Sequence, residues 1–240
     1  MSVTPYKNPE ASKRDQVEEM FDNIAPKYDL LNRLMSAGVD ITWRKKAIKR
    51  LAPYSPKRIV DIATGTGDFA IEAAKLKPKE IIGIDISNEM LRVGREKMVK
   101  KKLDKLIDMR NGDSEALELK TDSVDAITVG FGVRNFQNLR KGMGEILRVL
   151  KPGGAVAILE PSFPTSFPLK QLFAFHFRVL TPLLGKIVSG DNSAYTYLPE
   201  SVKAFPNGKE FTDICDELGF RKAEYVPLTF GMCSMYILEK

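Results

Sequence analysis

Three aspartates lie at the ends of successive predicted strands, and they are suited to binding a ligand there. Asp61 precedes a glycine turn, Asp85 follows that turn in GIDIS, and Asp113 lies in NGDSEAL. In α/β proteins, an acid about 20 residues beyond such a turn accepts the ribose hydroxyls of a bound nucleotide. The structural alternatives are that Asp61 braces the turn, Asp85 caps the next helix and Asp113 occupies a turn. The placement of all three acids at strand ends favours a ligand site.

The glycine turn Gly65-x-Gly67-x-x-Ala70 fits the fingerprint of a dinucleotide-binding protein. Its glycines let a ligand approach the backbone at the start of a helix. Asp68, however, would place a negative charge beside a pyrophosphate, at a cost on the order of 4 kcal/mol for a unit pair at about 4 Å and an effective dielectric of about 20. The alternative is that Asp68 turns away and caps its helix.

A ligand with a cationic end and no phosphate avoids this conflict, which favours S-adenosylmethionine over a nicotinamide dinucleotide. Asp61 would then orient the methionine end, and Asp85 would accept both ribose hydroxyls. Asp113 would accept the adenine amino group, with Ser114 beside it.

The elements that must position these residues alternate between strands and helices. The segments RIVDIA, EIIGID, LIDMRNGD, SVDAITVG and AVAILE are typical of strands, and DFAIEAAKL, SNEMLRVGREKMVKKK and the stretch from Leu139 to Leu150 are typical of amphipathic helices. KPGG is predicted to stop the last of these helices and to connect it to the next strand. A helix, KEFTDICDELGF, and a hairpin of KAEYVPLTF and CSMYILEK, joined through Gly231, follow near the C-terminus. This alternation predicts an α/β fold with a parallel sheet.

We expect the 240 residues to form a single domain. Its predicted parts are a polar N-terminal helical extension (1–55), a cofactor-binding core (56–160), an inserted aromatic-rich helical cap (161–205) and a closing helix and strands (206–240). Residues 161–200 hold five of the thirteen phenylalanines and the sole histidine, His176. We interpret His176 as packed inside the cap rather than catalytic.

The net charge of +6 is compatible with an anionic partner such as nucleic acid or a membrane surface. Part of this charge, in REKMVKKKLDK, completes the end of a predicted helix and faces water. The sequence shows no apolar signal core and no run of about 18 apolar residues. Cys215, Cys233 and His176 are too few for a disulfide framework or a convincing metal site. We therefore expect a cytoplasmic protein without a metal.

Four segments, DIATGTGDFA, GIDIS, NGDSEAL and ILRVLKPGG, together resemble class I S-adenosylmethionine-dependent methyltransferases. Four others, KYDLLNRLMSAGVDITWRKK, FGVRNFQN, LEPSFP and YTYLPESVKAFP, resemble the C-methyltransferases of ubiquinone and menaquinone biosynthesis. The similarity runs from about Asn8 to the C-terminus. It implies a Rossmann-like, seven-stranded, mostly parallel sheet with one antiparallel strand near its edge and helices on both faces.

The resemblance implies transfer of a methyl group from S-adenosylmethionine to a ring carbon of a polyprenylated quinol. Demethylmenaquinol is the preferred substrate, and a 2-methoxy-6-polyprenyl-benzoquinol of ubiquinone biosynthesis is the alternative. The same match makes Thr66, Asp85, Asp113 and Ser114 cofactor contacts, and the candidate set also includes Asp61, Gly65, Gly67, Ile86 and Gly130. Family members often have serine where Gly130 stands, so we expect backbone to replace a side-chain contact there.

The catalytic candidates are Arg134, Asn135 and, from the resemblance, Tyr28. Methyl transfer needs an electron-rich ring carbon that is aligned with the methyl donor. A guanidinium at the carboxyl edge of the fourth strand can stabilise a phenolate, directly or through water, and an amide can hold a ring oxygen. The structural alternatives are an ion pair of Arg134 with Asp29 or Glu160, helix capping near Asn138 and a packed tyrosine.

Other functional classes fit parts of the sequence. An RNA methyltransferase would share the cofactor site, but the sequence shows no basic surface interleaved with aromatic residues, and we expect no nucleic-acid partner. An NAD-binding oxidoreductase fits the glycine turn but not Asp68, and a non-catalytic scaffold gives no reason for FGVRN at a strand end.

The aromatic cap is open to two compatible interpretations, a cover for the sheet and a tunnel for an isoprenoid tail. Trp43 with Lys45, Lys46 and Lys49 would allow peripheral contact with the inner face of an anionic membrane, although a plain surface helix is the simpler interpretation. The oligomeric state is open, with a homodimer as one alternative.

Overall fold

The centre of the computed structural model, which describes residues 3–164, 171 and 193–240, is one seven-stranded sheet. Its strands are β1 (Arg58–Ile62), β2 (Glu80–Asp85), β3 (Ile107–Asn111), β4 (Val124–Gly130), β5 (Leu150–Pro161), β6 (Lys222–Leu228) and β7 (Cys233–Glu239). They lie in the order β3-β2-β1-β4-β5-β7-β6. Only β7 pairs antiparallel with its neighbours, β5 and β6. The predicted mostly parallel sheet with one antiparallel strand near its edge is confirmed.

The described α-helices are α1 (Lys13–Ile24), α2 (Tyr28–Ser36), α3 (Val39–Leu51), α4 (Asp68–Ala73), α5 (Asn88–Lys101), α6 (Leu139–Val149), α7 (Ser193–Ala204) and α8 (Lys209–Leu218). Several begin where a side chain accepts a hydrogen bond from the first turn. Ser12 caps α1, Ser87 caps α5 and Asn138 caps α6. Each cap satisfies a backbone N–H that the helix itself leaves unpaired.

The sheet is buried on both faces, which explains why its central strands are almost wholly apolar. Val60 and Ile62 pack on one face with residues of α6 and α8, including Met143 and Phe211. Ile59 packs on the other face with α3, α4 and α5. The alternation along β1 therefore divides the core into two layers.

The KPGG segment differs from the prediction. The helix does end before it, at Val149, but Lys151 to Gly154 lie inside β5, where the pairing with β4 shifts between Val124 and Ala126. Gly153 has a φ of +77°, in the left-handed region that glycine adopts without strain. The segment thus interrupts the pairing within the strand instead of connecting the helix to it.

The N-terminal segment forms helices α1–α3 as predicted, but its description as polar was incomplete. Val17, Met20 and Ile24 of α1 and Leu31 of α2 form a third apolar cluster with Met90 of α5. This cluster holds α1 and α2 beside the carboxyl ends of the parallel strands. His176 and most of the predicted cap lie outside the described residues.

Candidate active site

The glycine turn follows β1 at the centre of the sheet, where β1 is paired with β2 on one side and β4 on the other. Gly65 and Gly67 have φ values of +54° and +82°. A Cβ at Gly67 would lie 2.4 Å from Cε of Met98. Glycine is favoured there by the backbone conformation, and the turn leaves a concave surface at the strand ends where open α/β sheets bind ligands.

Asp61 lies beneath this turn and holds it in place. Its carboxylate accepts hydrogen bonds from Oγ1 of Thr64 and Oγ1 of Thr128, both at 2.6 Å, and from the backbone N–H of Ala70 at 3.1 Å. Burial raises the pKa of Asp61 to about 6, although these hydrogen bonds oppose the shift. Asp61 does not line the cavity next to the turn. The contacts that the structure shows for its carboxylate are the three hydrogen bonds within the protein.

Asp85, the last residue of β2, faces the glycine turn from the neighbouring strand. Its Oδ2 accepts from the N–H of Gly65 at 2.7 Å and its Oδ1 from the N–H of Ser87 at 2.9 Å. An ionised carboxylate has about four lone-pair sites, so acceptor capacity remains for hydroxyl groups. Burial raises the pKa of Asp85 to about 6.

A cavity of about 670 Å³ lies along the ends of the four strands β1–β4. The predicted cofactor residues that line it are Gly65, Asp85, Ile86, Asp113, Ser114 and Gly130, and the catalytic candidates Tyr28 and Asn135 line it as well. Arg14, Val17 and Phe21 of α1 form another part of its wall.

Thr66 and Gly67, two further predicted contacts, do not line this cavity. Oγ1 of Thr66 donates to Oδ1 of Asp29 at 2.6 Å and accepts from Nζ of Lys97 at 2.9 Å. These bonds attach the glycine turn to α2 and α5. The side chain of Thr66 is therefore occupied by protein contacts.

Gly130 lines the cavity at the end of β4 and has little room for a side chain. A Cβ at this position would approach Cδ1 of Phe69 to 3.0 Å. A serine there would require Phe69 to move by a few tenths of an ångström. Any ligand contact at Gly130 is made by its backbone.

Asp68 does not carry an unopposed charge, so the argument built on it was wrong. It points away from the turn and pairs with Arg33 at 2.9 Å, Lys97 at 3.0 Å and Arg44 at 3.8 Å. Burial by itself would raise the pKa of Asp68, but the charges of Lys97 and Arg44 outweigh it and lower the pKa. Asp68 therefore gives no reason to exclude a phosphate, and Asp85, Asp113 and Glu115 are the acids that line the cavity.

A second cavity, of about 980 Å³, adjoins the first and is mostly apolar. Its lining residues come from α1, α2, α3, α7 and the ends of β4 and β5, and include Met20, Ile24, Leu31, Met35, Trp43, Pro161, Ala194 and Met232. Phe21, Tyr28 and Phe131 line both cavities. The two spaces thus meet at these three aromatic side chains.

Arg134 lines the second cavity and is only 8% exposed. Its guanidinium pairs with Glu160 at 3.1 Å and donates to the backbone carbonyl of Phe131, while its Nε has no hydrogen-bond partner within the described structure. The ion pair between Arg134 and Glu160, one of the structural alternatives stated from the sequence, is therefore present. An unpaired buried N–H is costly, so the protein contacts alone do not satisfy this guanidinium.

Glu160 supports Arg134 from the end of β5. Burial raises the pKa of Glu160, and the charge of Arg134 opposes that shift. Glu160 also accepts from the N–H of Val133 at 2.6 Å. The carboxylate therefore holds both the side chain of Arg134 and the backbone that precedes it.

Asn135 and Tyr28 lie close to this pair. The Asn135 side chain donates to the carbonyl of Phe131 at 3.3 Å and accepts from the hydroxyl of Tyr197 at 3.1 Å. Burial raises the pKa of Tyr28, so the phenol stays protonated. The structure thus brings all three predicted catalytic side chains to the junction of the two cavities.

Sequence reasoning missed the contribution of α1 and α2 to these walls, as well as Tyr197, whereas Glu160 was named only as an alternative partner of Arg134. The signal was available in Val17, Met20, Phe21 and Ile24, whose spacing gives one apolar helix face. Trp43, which was raised as one option for a membrane contact, is instead only 6% exposed and donates to Oγ1 of Thr229 at 2.7 Å. In the parts of the chain that the structure describes, no helix is long and apolar enough to cross a membrane.

The chain is similar to known proteins over nearly its whole length. The model of the ubiE/COQ5 methyltransferase family matches residues 9–240. A demethylmenaquinone methyltransferase of Bacteroides fragilis is 48% identical over 99% of this chain and 97% of its own. A ubiquinone/menaquinone biosynthesis C-methyltransferase UbiE of Geobacter sulfurreducens is 40% identical over 99% of this chain and 93% of its own.

Solved structures show the same fold at lower identity. A putative S-adenosyl-L-methionine-dependent methyltransferase from Methanococcus maripaludis superposes with a TM-score of 0.64 at 20% identity, covering 92% of this chain and 94% of that one. This likeness confirms the Rossmann-like methyltransferase fold.

Proposed function

The chain belongs to the ubiE/COQ5 methyltransferase family, and from this we propose that it methylates a ring carbon of demethylmenaquinol, with S-adenosylmethionine as the methyl donor. The observation that supports this proposal best is the pair of adjoining cavities. One is lined by carboxylates at strand ends and the other by apolar side chains around a buried arginine. A polar nucleoside and an apolar quinol would meet at Tyr28 and Phe131.

The residues of the first cavity fit S-adenosylmethionine. The glycine turn permits close approach of a ligand to the backbone at Gly65, and Asp85 and Asp113 supply acceptors for ribose hydroxyls and an adenine amino group. Asp61, Thr66 and Gly67 contribute by fixing the turn. When bound, the cofactor supplies an electrophilic methyl group.

Arg134 is the residue that we propose to activate the quinol. Loss of a phenolic proton moves electron density onto the ring carbon, and a guanidinium beside the oxygen stabilises the resulting charge. A guanidinium is too weakly acidic to serve as an ordinary base, so water would accept the proton. Asn135 and Tyr28 would orient the ring, and the apolar wall would exclude bulk water.

The alternative substrate is a 2-methoxy-6-polyprenyl-benzoquinol, which one relative's name also allows. The test is methyl transfer from labelled S-adenosylmethionine to a short-tailed demethylnaphthoquinol and to a methoxy-benzoquinol, each kept reduced. We expect the naphthoquinol to be the better substrate by kcat/KM. A higher kcat/KM for the benzoquinol would mean that the benzoquinol, rather than demethylmenaquinol, is the substrate. No transfer to either quinol would refute the proposed function.

A membrane is the source of such a substrate, and we propose that the protein reaches it through exposed apolar side chains rather than through Trp43. Phe230, in the turn between β6 and β7, is 76% exposed, and Leu30 and Leu34 of α2 are also exposed. Met232, which follows the turn, and Met35 of α2 both line the apolar cavity.

Flotation with anionic vesicles should detect membrane binding, and Phe230→Ser should weaken that binding. Equal flotation of Phe230→Ser and the unaltered protein would exclude this surface.

A further inference from the structure

The N-terminal helices contact the ends of all four strands that border the cofactor cavity. Each contact uses a charged side chain, and together they run along α1 and α2: Lys13 to the loop after β4, Arg14 to Asp113 after β3, Asp22 to Ser87 after β2, and Asp29 to Thr66 after β1. The helices therefore form a strap across the cavity.

The contact made by Lys13 differs from the other three because it reaches the loop that carries the catalytic candidates. Nζ of Lys13 donates to the backbone carbonyl of Arg134 at 2.9 Å and to that of Phe136 at 2.8 Å. These two carbonyls flank Asn135. One ammonium group thus fixes the backbone on both sides of Asn135.

Lys13 is held there against an electrostatic cost. Burial and the nearby charge of Arg134 lower its pKa to about 8, while Glu115 and Glu160 oppose the shift. A lysine with only a solvated surface role would keep its ordinary pKa. The two hydrogen bonds offset part of this cost, so the loop and α1 stabilise each other.

We propose that Lys13 is a positioning residue that couples the docking of α1 on the cofactor cavity to the alignment of Arg134 and Asn135. The same helix supplies Arg14, Val17 and Phe21 to the wall of that cavity. A cofactor that orders α1 would therefore also bring Lys13 onto the catalytic loop. The kinetic test of this inference rests on the proposed function, because it measures methyl transfer. The test by hydrogen exchange does not depend on that function.

The kinetic test compares Lys13→Met, which keeps the aliphatic stem but loses the donors, with Lys100→Met, which removes an exposed lysine at the end of α5. We expect kcat of Lys13→Met to fall by about 10- to 100-fold, because small misplacements of catalytic groups carry penalties of that size. The Kd for S-adenosylhomocysteine should stay within about 3-fold, and Lys100→Met should match the unaltered protein. An unchanged kcat for Lys13→Met would overturn the proposal.

The pH profile separates positioning from a merely structural role. In the unaltered protein, kcat should decline as pH rises through about 8, where Lys13 loses its proton and its charged hydrogen bonds. Lys13→Arg stays protonated, so it should retain measurable activity without this decline. If Lys13→Met fails to fold, the pH profile of Lys13→Arg tests the proposal instead. The coupling would be refuted if kcat of Lys13→Arg declined at alkaline pH as it does in the unaltered protein.

Hydrogen exchange tests the coupling without any activity. With S-adenosylhomocysteine bound, peptides that cover residues 131–137 should exchange faster in Lys13→Met than in Lys100→Met, while peptides from β1 and β2 should be unchanged. Equal exchange of the loop in both variants would overturn the proposal. Failure of methyl transfer in the unaltered protein would instead refute the proposed function. It would not affect the comparison of hydrogen exchange, which needs no activity.

Discussion

The side chains at the cavity junction are positioned by protein contacts that exist without a ligand. Asp85 accepts two backbone N–H groups, and Arg134 is paired with Glu160. Such preorganisation reduces the reorganisation that binding and reaction require. The same burial that fixes these groups shifts their protonation, which makes their roles testable.

Cofactor affinity should fall as pH drops below about 6, because burial raises the pKa of Asp85 to about 6 and the protonated acid is a poorer acceptor. The loss should approach tenfold per pH unit. The effect on folding has the opposite sign, since an acid whose folded pKa is raised adds stability that is fully present below its unfolded pKa and lost as pH rises through about 6.

Calorimetry with S-adenosylhomocysteine between pH 5 and pH 7.5, together with melting at each pH, separates the two effects. Asp85→Asn should bind weakly with a flattened pH profile. Asp108→Asn, at an exposed position of β3, is the control and should keep the profile of the unaltered protein. A pH-independent Kd in the unaltered protein would contradict the assignment of Asp85.

Arg134→Gln should lower kcat by about 10²- to 10³-fold, the loss typical when one stabilising donor is removed from an active site. Its cofactor Kd should change by less than about twofold, because Arg134 lines the second cavity and not the first. Labelled methyl transfer and calorimetry measure the two quantities. Arg140→Gln, which removes an exposed arginine of α6, should leave both unchanged. Parallel losses in kcat and cofactor affinity for Arg134→Gln would place the arginine elsewhere in the mechanism.

At the scale of elements, the glycine turn packs closely against α5. Gly67 lies against Met98, and Gly94 of α5 would place a Cβ 2.4 Å from Cε of Met109. These contacts bring the helix and β3 toward the turn. The turn is therefore defined as much by its neighbours as by its own sequence.

Gly67→Ala should destabilise the fold by about 1–3 kcal/mol, because alanine is strained at a φ of +82° and its Cβ would meet Met98. Gly144→Ala is the matched control, since a Cβ there meets nothing within 4 Å and alanine favours the helix. It should be neutral or stabilising by up to about 1 kcal/mol. Chemical denaturation measures both, and equal stability of the two variants would show that the turn adapts.

At the scale of the whole molecule, a network of ion pairs joins the N-terminal helices to the sheet. Asp40 is 2% exposed and accepts from Ser36, Arg33 and Arg44, and both arginines also face Asp68 on α4. Lys97 of α5 joins the network through Asp29 and Asp68. This network connects α2 and α3 to the helices that follow β1 and β2.

Asp40→Asn should cost about 3–5 kcal/mol of stability, because it removes the carboxylate that pairs with the buried guanidinium of Arg44. Glu217→Gln breaks an exposed pair with Arg140 and should cost less than about 1 kcal/mol. Urea denaturation of both variants checks the difference. A loss below about 1 kcal/mol for Asp40→Asn would mean that water replaces the carboxylate.

Local sequence patterns were enough to predict the order of strands and helices, the parallel sheet and the strand ends that carry Asp85, Asp113 and Arg134. These features follow from local signals, namely short β-branched runs, amphipathic helix spacing and a glycine turn. Because carboxyl ends of parallel strands meet at one edge, the residues after several strands were expected to lie together.

Which of these residues face a cavity depends on long-range packing, and it became visible in the three-dimensional structure. Asp68 and Thr66 have suitable positions along the chain, yet their side chains bond to Arg33, Lys97 and Asp29 from distant segments. The walls supplied by α1 and α2 could not be placed either, because helices outside the sheet alternation dock through side-chain packing and ion pairs rather than through a strand register. The direction of a side chain depends on neighbours far away in sequence, and local pattern carries no record of them.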